Sequence, residues 1–250
     1  MRLMIDLATN RNDSQPWDDF DSRWYLAHNY ENLRLDDREI IERVANFFAA
    51  SGEQRCGIDV GSGTNLYPAL AMLPSCRQIT LVERSRSNVA WLMREIRQFA
   101  PSWDPFWGAL VNADADRYKP VEPREALAAR TEVLCGSIFE LPRCEWEIGT
   151  MFFVAESITA EADEFERATQ CFVRSLKPGA PFAAAFMRHS VGYQVNRLHF
   201  PAVAVDEGQV GECLDPVAYD VTVTMIPSGA NPLRDGYDGM ILATGYANGK

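Results

Sequence analysis

A glycine-rich turn within the segment 57–70 (GIDVGSGTNLYPAL) is the first feature of the sequence that suggests chemistry. Asp59 lies near the end of a short apolar run, and the turn 61–63 (GSG) leads from that run into a second apolar stretch. Glycine permits positive φ angles and lets a ligand lie against bare backbone. Glu83 ends the next apolar run, where a carboxylate can accept hydrogen bonds from both hydroxyls of an adenosine ribose. The two features predict a nucleoside-binding site shared by consecutive strand–helix units.

The spacing of the glycines separates two classes of cofactor. A dinucleotide site needs a third glycine in the pattern G-x-G-x-x-G, so that helix N–H groups can approach a pyrophosphate. Leu66 occupies that third position, and its side chain keeps the helix farther from a ligand. S-adenosylmethionine carries an adenosine but no phosphate, so the sequence favours this methyl donor. An NAD-dependent reductase and a glycine turn without a ligand are the weaker alternatives.

Hydrophobic patterning predicts the elements that position these residues. Strands are predicted at 56–60, 78–84, within 125–142, and at 148–157, 181–187, 221–226 and 240–247. Helices are predicted at 36–50, 66–73, 87–100 and 163–176, the first with Asp36 as N-cap and Gly52 as its stop. The stretch 101–124 is expected to be a loop or an insertion, and the chain between the strands at 181–187 and 221–226 is expected to be irregular. This order predicts an α/β, Rossmann-like fold with a mostly parallel seven-stranded sheet and an antiparallel C-terminal hairpin.

Length and composition limit the class of protein. The 250 residues suit a single domain, with 1–50 as a cap segment and 51–250 as the core. The formal net charge of −11 disfavours nucleic acids and anionic membranes as partners. Six cysteines without a CxxC pair and only three histidines predict reduced thiols and no metal site. No apolar run near the N-terminus has the character of a secretion signal, so we expect a cytoplasmic protein, and the oligomeric state stays open.

Three segments resemble one known family. They are FDSRWYLAHNY (20–30), IDVGSGTNLY (58–67) and FAPSWDPF (99–106). They are similar to motifs of the nicotinamide, phenylethanolamine and thioether (indolethylamine) N-methyltransferases, and the likeness extends from Phe20 to the C-terminus. The resemblance implies a class I methyltransferase fold, S-adenosylmethionine as cofactor, a small-molecule acceptor and an N-terminal helical cap over the cofactor.

The resemblance and the glycine turn together assign the cofactor contacts. Ser137 stands where the family usually has an acid that holds the adenine amino group. The cap, with Trp17, Trp24 and two tyrosines, is expected to exclude water and to face the sulfonium through cation–π contacts. The predicted cofactor-binding residues are Tyr25, Tyr30, Asp59, Gly61, Ser62, Gly63, Thr64, Tyr67, Glu83, Arg84, Asn88, Ser137, Ile138 and Val154.

Two acids are predicted to serve the acceptor. Glu156 follows a central strand, at the sheet edge where ligands of open α/β sheets bind. The resemblance places Glu156 and Asp235 on family acids that hold an acceptor amine. The predicted acceptor-lining residues are Trp17, Phe186, Arg188, His189, Ser190 and Tyr193. Phe186 stands where the nicotinamide enzyme has an aspartate, and Arg188 is suited to a substrate carboxylate or phosphate.

These residues predict methyl transfer to an amine nitrogen. As the nitrogen lone pair attacks the sulfonium methyl, positive charge moves onto nitrogen, where a carboxylate can stabilise it and accept a proton. Methylation of oxygen or carbon on an aromatic or natural-product scaffold is the alternative among enzymes, because Phe186, Arg188 and His189 alter the pocket. A cofactor-binding regulator without catalysis is the alternative outside enzymes, and Ser137 favours it.

Overall fold

One mixed sheet organises the chain. The computed structural model describes residues 11–229, 233 and 236–249. The strands are β1 (Gln54–Val60), β2 (Cys76–Glu83), β3 (Thr131–Cys135), β4 (Ile148–Phe152), β5 (Pro181–Arg188), β6 (Gly192–Val195), β7 (Leu198–Pro201), β8 (Ala218–Pro227) and β9 (Gly239–Ala247). Seven of them form a sheet in the order β3-β2-β1-β4-β5-β9-β8. The pairs from β3 to β5 are parallel, whereas β9 pairs antiparallel with β5 and β8, which confirms the predicted sheet.

Helices cover both faces of this sheet. They are α1 (Ser22–Asn29), α2 (Leu35–Phe48), α3 (Tyr67–Met72), α4 (Arg86–Gln98), α5 (Asp104–Ala113), α6 (Ala115–Tyr118), α7 (Pro123–Arg130), α8 (Ala162–Ser175) and α9 (Glu207–Leu214). Side chains alternate across a strand, and in β5 Ala183 joins the buried cluster of α2–α7, whereas Phe182 joins that of α8 and α9. None of the helices in the described part of the chain is long and apolar enough to cross a membrane.

The segment 101–124 is helical, so the prediction of a loop there was wrong. It contains α5 and α6, and α7 begins at its end. Its proline-rich composition misled the prediction, because proline is tolerated in the first turn of a helix, where α5 has it. Phe106, Ala109 and Leu110 are buried at helical spacing, and burial of this apolar face stabilises α5.

The chain after β5 is more regular than predicted. It contains the hairpin of β6 and β7 and the helix α9. Four-residue strands are too short to show an alternating pattern, and Gly208 and Gly211 lower the helix propensity of α9. A capping box formed by Asp206 and Gln209 stabilises the start of that helix.

Two element boundaries also differ from the prediction. β4 ends at Phe152 rather than continuing to 157, because Phe153 adopts a positive φ of 62° and turns the chain. α2 begins at Leu35, so Asp36 lies inside the first turn and is not the N-cap. The side chain of Asp36 instead accepts a hydrogen bond from the hydroxyl of Tyr237, far away in the sequence.

Candidate functional site

A pocket lies at the carboxyl ends of β1, β2 and β4. It encloses about 780 Å³ of empty space, part of it open to solvent, which is within the range of small-molecule sites. The predicted residues that line it are Trp17, Tyr25, Tyr30, Gly61, Ser62, Gly63, Thr64, Glu83, Arg84, Asn88, Ser137, Ile138, Val154 and Tyr193. The loops after these three strands meet because the strands are neighbours in the sheet and run in the same direction.

The glycine turn forms one wall of this pocket. Gly61 has a φ of 66°, and a Cβ atom there would lie 2.6 Å from the side chain of Val154. Both the conformation and the close contact therefore exclude a side chain at Gly61. Gly63 has a φ of 54°, and its N–H donates a hydrogen bond to Oε2 of Glu83 at 2.8 Å. The turn thus presents bare backbone beside a carboxylate.

Glu83 connects this turn to the start of α4. Its Oε1 accepts a hydrogen bond from the N–H of Ser85 at 2.7 Å. The residue is 7% exposed, and burial raises the pKa of its carboxyl group above the usual value for glutamate. Ser85, and not Asn88, is the N-cap of α4. The side-chain oxygen of Asn88 accepts a hydrogen bond from the hydroxyl of Ser22 at 2.7 Å. Asn88 therefore joins the pocket wall to α1.

An aromatic roof covers the pocket. The ring of Trp17 stacks on that of Phe200 with a centroid distance of 4.9 Å, and Tyr193 stacks on the same Phe200 ring at 5.5 Å. Tyr25 lies edge-on to Tyr193, with 6.2 Å between the ring centroids. The roof thus combines the N-terminal segment with the hairpin of β6 and β7, which the sequence analysis did not predict. Electron-rich ring faces of this kind attract cations.

Polar contacts hold the N-terminal part of the roof on two sides. The N–H of Asn12 donates to Oε2 of the buried Glu164 in α8 at 3.0 Å. On the other side, Arg84 forms an ion pair with Asp13 at 3.2 Å. This second pair is exposed and contributes little, so the contact of Asn12 with Glu164 and the aromatic packing dominate.

Two residues predicted to bind the cofactor lie behind the lining. Asp59 is buried, its Oδ1 accepts a hydrogen bond from the hydroxyl of Thr150 at 2.7 Å, and burial raises the pKa of its carboxyl group to about 7. Tyr67 is also buried, and its hydroxyl donates to Oδ1 of Asp37 at 3.0 Å. The Tyr67 ring lies beside the lining residue Tyr30, with 6.2 Å between centroids. Both residues support the lining from the interior.

Of the two predicted acceptor acids, Glu156 lies within the described residues. Glu156 is fully buried and outside the lining, and its Oε1 accepts hydrogen bonds from the Met187 N–H and the Ser157 hydroxyl, each at 3.0 Å. Ser157 itself lines the pocket, so Glu156 is one hydrogen bond away from a lining residue. Asp235 lies outside the described residues. The roles of both acids stay predictions.

Two other predicted acceptor residues, Phe186 and Ser190, are in the interior of the protein. Phe186 is fully buried and packs edge-on against Phe165 of α8, with 5.9 Å between ring centroids. Its place in β5 explains this position, because alternate side chains of that strand face the cluster under α8. Ser190 is also fully buried. Neither lines the described pocket, contrary to the prediction.

Arg188 and His189 likewise lie outside the lining. Arg188 forms ion pairs with Glu207 at 2.9 Å and with Asp238 at 2.5 Å. Nδ1 of His189 is 3.1 Å from the same Asp238 oxygen that Arg188 contacts. Because two carboxylates already surround the guanidinium, the predicted pairing of Arg188 with a substrate carboxylate or phosphate is not supported. Arg188 instead joins the start of α9 to the segment before β9.

Sequence reasoning missed several lining residues. They are Asn12, Phe20, Val60, Asn65, Val82, Gly136, Phe152, Phe153, Ser157 and Ile158. Asn65 carried a usable signal, because it lies two residues after the glycine turn. The Nδ2 atom of Asn65 and the hydroxyl of Thr64 are buried, and neither makes a hydrogen bond to any described residue. Buried polar atoms without a partner are rare, and these two fit a pocket that takes a polar ligand.

Comparison with known proteins gives two kinds of similarity. A family model described as the NNMT/PNMT/TEMT family matches residues 10–245. The N-methyltransferase NodS from Bradyrhizobium japonicum WM9, in complex with S-adenosyl-L-homocysteine, has a similar structure: the TM-score is 0.54 at 14% identity, over 92% of this chain and 93% of that one. An S-adenosylmethionine-dependent methyltransferase from Clostridium acetobutylicum ATCC 824 gives a TM-score of 0.54 at 9% identity, over 89% and 97% of the two chains. No curated protein matches the sequence.

Proposed function

Because the chain belongs to the NNMT/PNMT/TEMT family and is an S-adenosylmethionine-dependent methyltransferase of Rossmann-like class I fold, we propose that it methylates an amine nitrogen of a small molecule. The observation that carries the proposal is the aromatic-roofed pocket over the glycine turn, with the buried acid Glu156 directly beside the lining residue Ser157. The N-methylating activity named for NodS, which shares the fold, is consistent with it.

The cofactor, S-adenosylmethionine, fits the chemistry of this pocket. We place its ribose hydroxyls against the Glu83 carboxylate and its adenine against Ser137 and Ile138. Its methionyl end then lies toward Thr64 and Asn65, whose buried polar atoms have no partner among the described residues. When bound, the cofactor supplies an electrophilic methyl group on a positively charged sulfur.

The chain contributes orientation and a suitable electrostatic environment. Holding the acceptor in line with the sulfur–methyl bond is worth roughly 7–11 kcal/mol at best. The roof residues Trp17, Tyr25 and Tyr193 exclude water and attract the sulfonium, each ring contributing about 0.5–2 kcal/mol. Because these rings carry no charge, they add no anion that could compete with the acceptor nitrogen for the methyl group.

Glu156 and Ser157 provide a route for the proton. In our proposal, the acceptor nitrogen passes its proton to the Ser157 hydroxyl while that hydroxyl passes its own proton to Oε1 of Glu156, to which it already donates at 3.0 Å. The buried Glu156 charge also stabilises the positive charge that develops on nitrogen. Asp235, in the segment before β9, is proposed as the second acid that holds the amine.

One observation favours the second candidate, which is methylation of oxygen or carbon. Among the described lining residues, Glu83 is the one carboxylate, and it lies at the proposed ribose end. As far as the described residues show, the acceptor end is therefore aromatic and nearly uncharged, which suits a neutral aromatic scaffold. The identity of the methylated atom separates the two candidates.

The test combines product identification with one variant. A metabolite library is incubated with the enzyme and isotopically labelled cofactor, methylated products are found by mass spectrometry, and NMR identifies the methylated atom. Glu156→Gln should lower kcat by about 10²–10⁴-fold, the usual contribution of a positioned acid–base group. Glu166→Gln, on the exposed face of α8, is the matched control. Near-normal turnover in Glu156→Gln would refute its role, and a methyl group on oxygen or carbon would refute the amine proposal.

A further inference from the structure

A buried acid in α8 holds the N-terminal part of the roof. Residues 12–19, which we call the strap, run from α8 to the start of α4. At the α8 end, Oε2 of Glu164 accepts a hydrogen bond from the Asn12 N–H at 3.0 Å. Glu164 is 3% exposed and Asn12 is 2% exposed, so this bond is shielded from water. Glu164 does not line the pocket, and the proposed chemistry does not use it.

The anchors of the strap near α4 are exposed. Oδ1 of Asp18 accepts a hydrogen bond from the Arg86 N–H at 3.0 Å. Asp13 forms an ion pair with Arg84 at 3.2 Å. Exposed charged contacts contribute little, because water competes for both partners. The buried bond to Glu164 is therefore the strongest of these three anchors.

A second hydrogen bond connects the α8 anchor to the roof. The carbonyl oxygen of Asn12 accepts a hydrogen bond from Nε1 of Trp17 at 2.9 Å. The face of the Trp17 ring stacks on Phe200 with a centroid distance of 4.9 Å. The hydrogen bond thus fixes the edge of the indole, and the stacking fixes its plane. Because Asn12 makes both hydrogen bonds, Glu164 acts on Trp17 through a single residue.

The acid at position 164 is costly for α8 by itself. A buried carboxylate loses its hydration, and a partner must compensate for that loss. The guanidinium of Arg167 lies 3.7 Å from Oε1 of Glu164, but the Arg167 side chain is mostly exposed. A leucine at position 164 would avoid the cost, yet it would leave the buried Asn12 N–H without this acceptor. The carboxylate therefore serves the strap rather than the helix.

From these contacts we propose that Glu164 is a positioning residue for methyl transfer, which holds the Trp17 indole in the roof through Asn12. The fixed ring face then meets the positive sulfur of S-adenosylmethionine. Without the acceptor on Glu164 the strap moves and this contact is lost. The inference rests on the proposed function for the place of the sulfonium under the roof. It implies that Glu164 favours the charged cofactor over S-adenosylhomocysteine, whose sulfur is neutral.

Calorimetry with both ligands tests this implication. The quantity measured is the Kd for S-adenosylhomocysteine divided by the Kd for S-adenosylmethionine. Glu164→Leu removes the acceptor and should lower this ratio by about 2- to 30-fold, the range of one cation–π contact. Glu164→Gln keeps an oxygen that can accept the Asn12 N–H, so it should retain the wild-type ratio. Glu166→Leu, on the exposed face of α8, is the matched control and should also retain it.

A double variant shows whether the acid acts through the indole. Trp17→Leu should lower the ratio by itself, and adding Glu164→Leu should lower it no further, because both changes remove one contact. Two reductions that multiply would overturn the proposal. If Trp17→Leu lowers the ratio and Glu164→Leu does not, the proposal is also overturned, but the sulfonium placement stands. If Trp17→Leu leaves the ratio unchanged, the sulfonium placement fails and the proposal fails with it.

Hydrogen exchange and a second variant separate positioning from stability. Glu164→Leu should speed exchange in residues 12–19, whereas Glu164→Gln should match the wild type. A purely structural acid would lower the unfolding temperature and weaken both ligands equally, which would contradict the proposal. If Glu164→Leu folds poorly, Asn12→Pro removes the same N–H at the first position of a 3-10 turn, where proline is tolerated. It should lower the ratio more than Asn12→Ala, which keeps that N–H, and equal ratios would refute the role of Glu164.

Discussion

Replacing Glu83 by glutamine tests the proposed cofactor placement most directly. Both carboxylate oxygens of Glu83 already accept backbone hydrogen bonds, from Gly63 at 2.8 Å and from Ser85 at 2.7 Å. Glutamine keeps the size of the side chain but offers one oxygen and one NH₂ group. The NH₂ group must then face a backbone N–H, because the two N–H groups approach different atoms of the carboxylate. The variant therefore loses the charge and one acceptor together.

The size of the effect follows from these bonds. A hydrogen bond to a charged group contributes about 1.5–3 kcal/mol, and each 1.4 kcal/mol changes affinity about tenfold. If Glu83 also accepts the ribose hydroxyls, Glu83→Gln should raise the Kd for S-adenosylmethionine by about 10- to 150-fold. Glu83→Asp keeps the charge but moves it away from the turn. Its Kd for S-adenosylmethionine should therefore lie between those of the wild type and of Glu83→Gln.

Calorimetry with S-adenosylmethionine and with 5′-methylthioadenosine provides the assay. Both ligands carry the adenosine, so both should lose affinity by a similar factor. Glu132→Gln, on the neighbouring strand β3 opposite Thr80 and outside the lining, controls for loss of an acid elsewhere in the sheet. Unchanged affinity in a folded Glu83→Gln variant would remove Glu83 from the cofactor site. A loss for S-adenosylmethionine alone would move Glu83 from the ribose to the methionyl end.

Three further changes have expected outcomes. Gly61→Ala should lower both unfolding temperature and cofactor affinity, because its Cβ would lie 2.6 Å from Val154 at a φ of 66°, and normal calorimetric binding would contradict this. The pKa of Asp37 is raised from 3.8 to about 7 by burial and by neighbouring Asp36, so the unfolded chain ionises first as pH rises. Asp37→Asn should therefore gain stability relative to wild type between pH 4 and 7, by up to about 4 kcal/mol in urea unfolding, and a pH-independent difference would contradict it. Cofactor should slow hydrogen exchange in residues 14–32, and identical exchange without cofactor would favour simple packing.

Local sequence signals were sufficient to place the glycine turn beside Glu83. The glycine turn and Glu83 carry their own conformational and chemical requirements, and each follows a strand whose apolar run is visible in the sequence. Once two parallel strands are neighbours, their carboxyl ends must meet, so Gly61, Gly63 and Glu83 could be placed together before the structure was known. The antiparallel pair of β8 and β9 was also predicted from the sequence, because the two strand-like runs have only a loop between them.

Contacts between segments that are far apart in the sequence decided where the other predicted side chains lie. Glu156 was placed correctly after its strand, but only the folded chain shows its carboxylate bonded to Ser157 and Met187 behind the lining. Arg188 looked available for a substrate until the structure placed Glu207 and Asp238 around it. These partners come from separate elements of the fold. A sequence pattern indicates on which face of a helix or strand a side chain lies, but it does not indicate which other element packs against that face. The chain's local pattern therefore determined where the pocket lies, whereas tertiary packing determined which polar side chains line it.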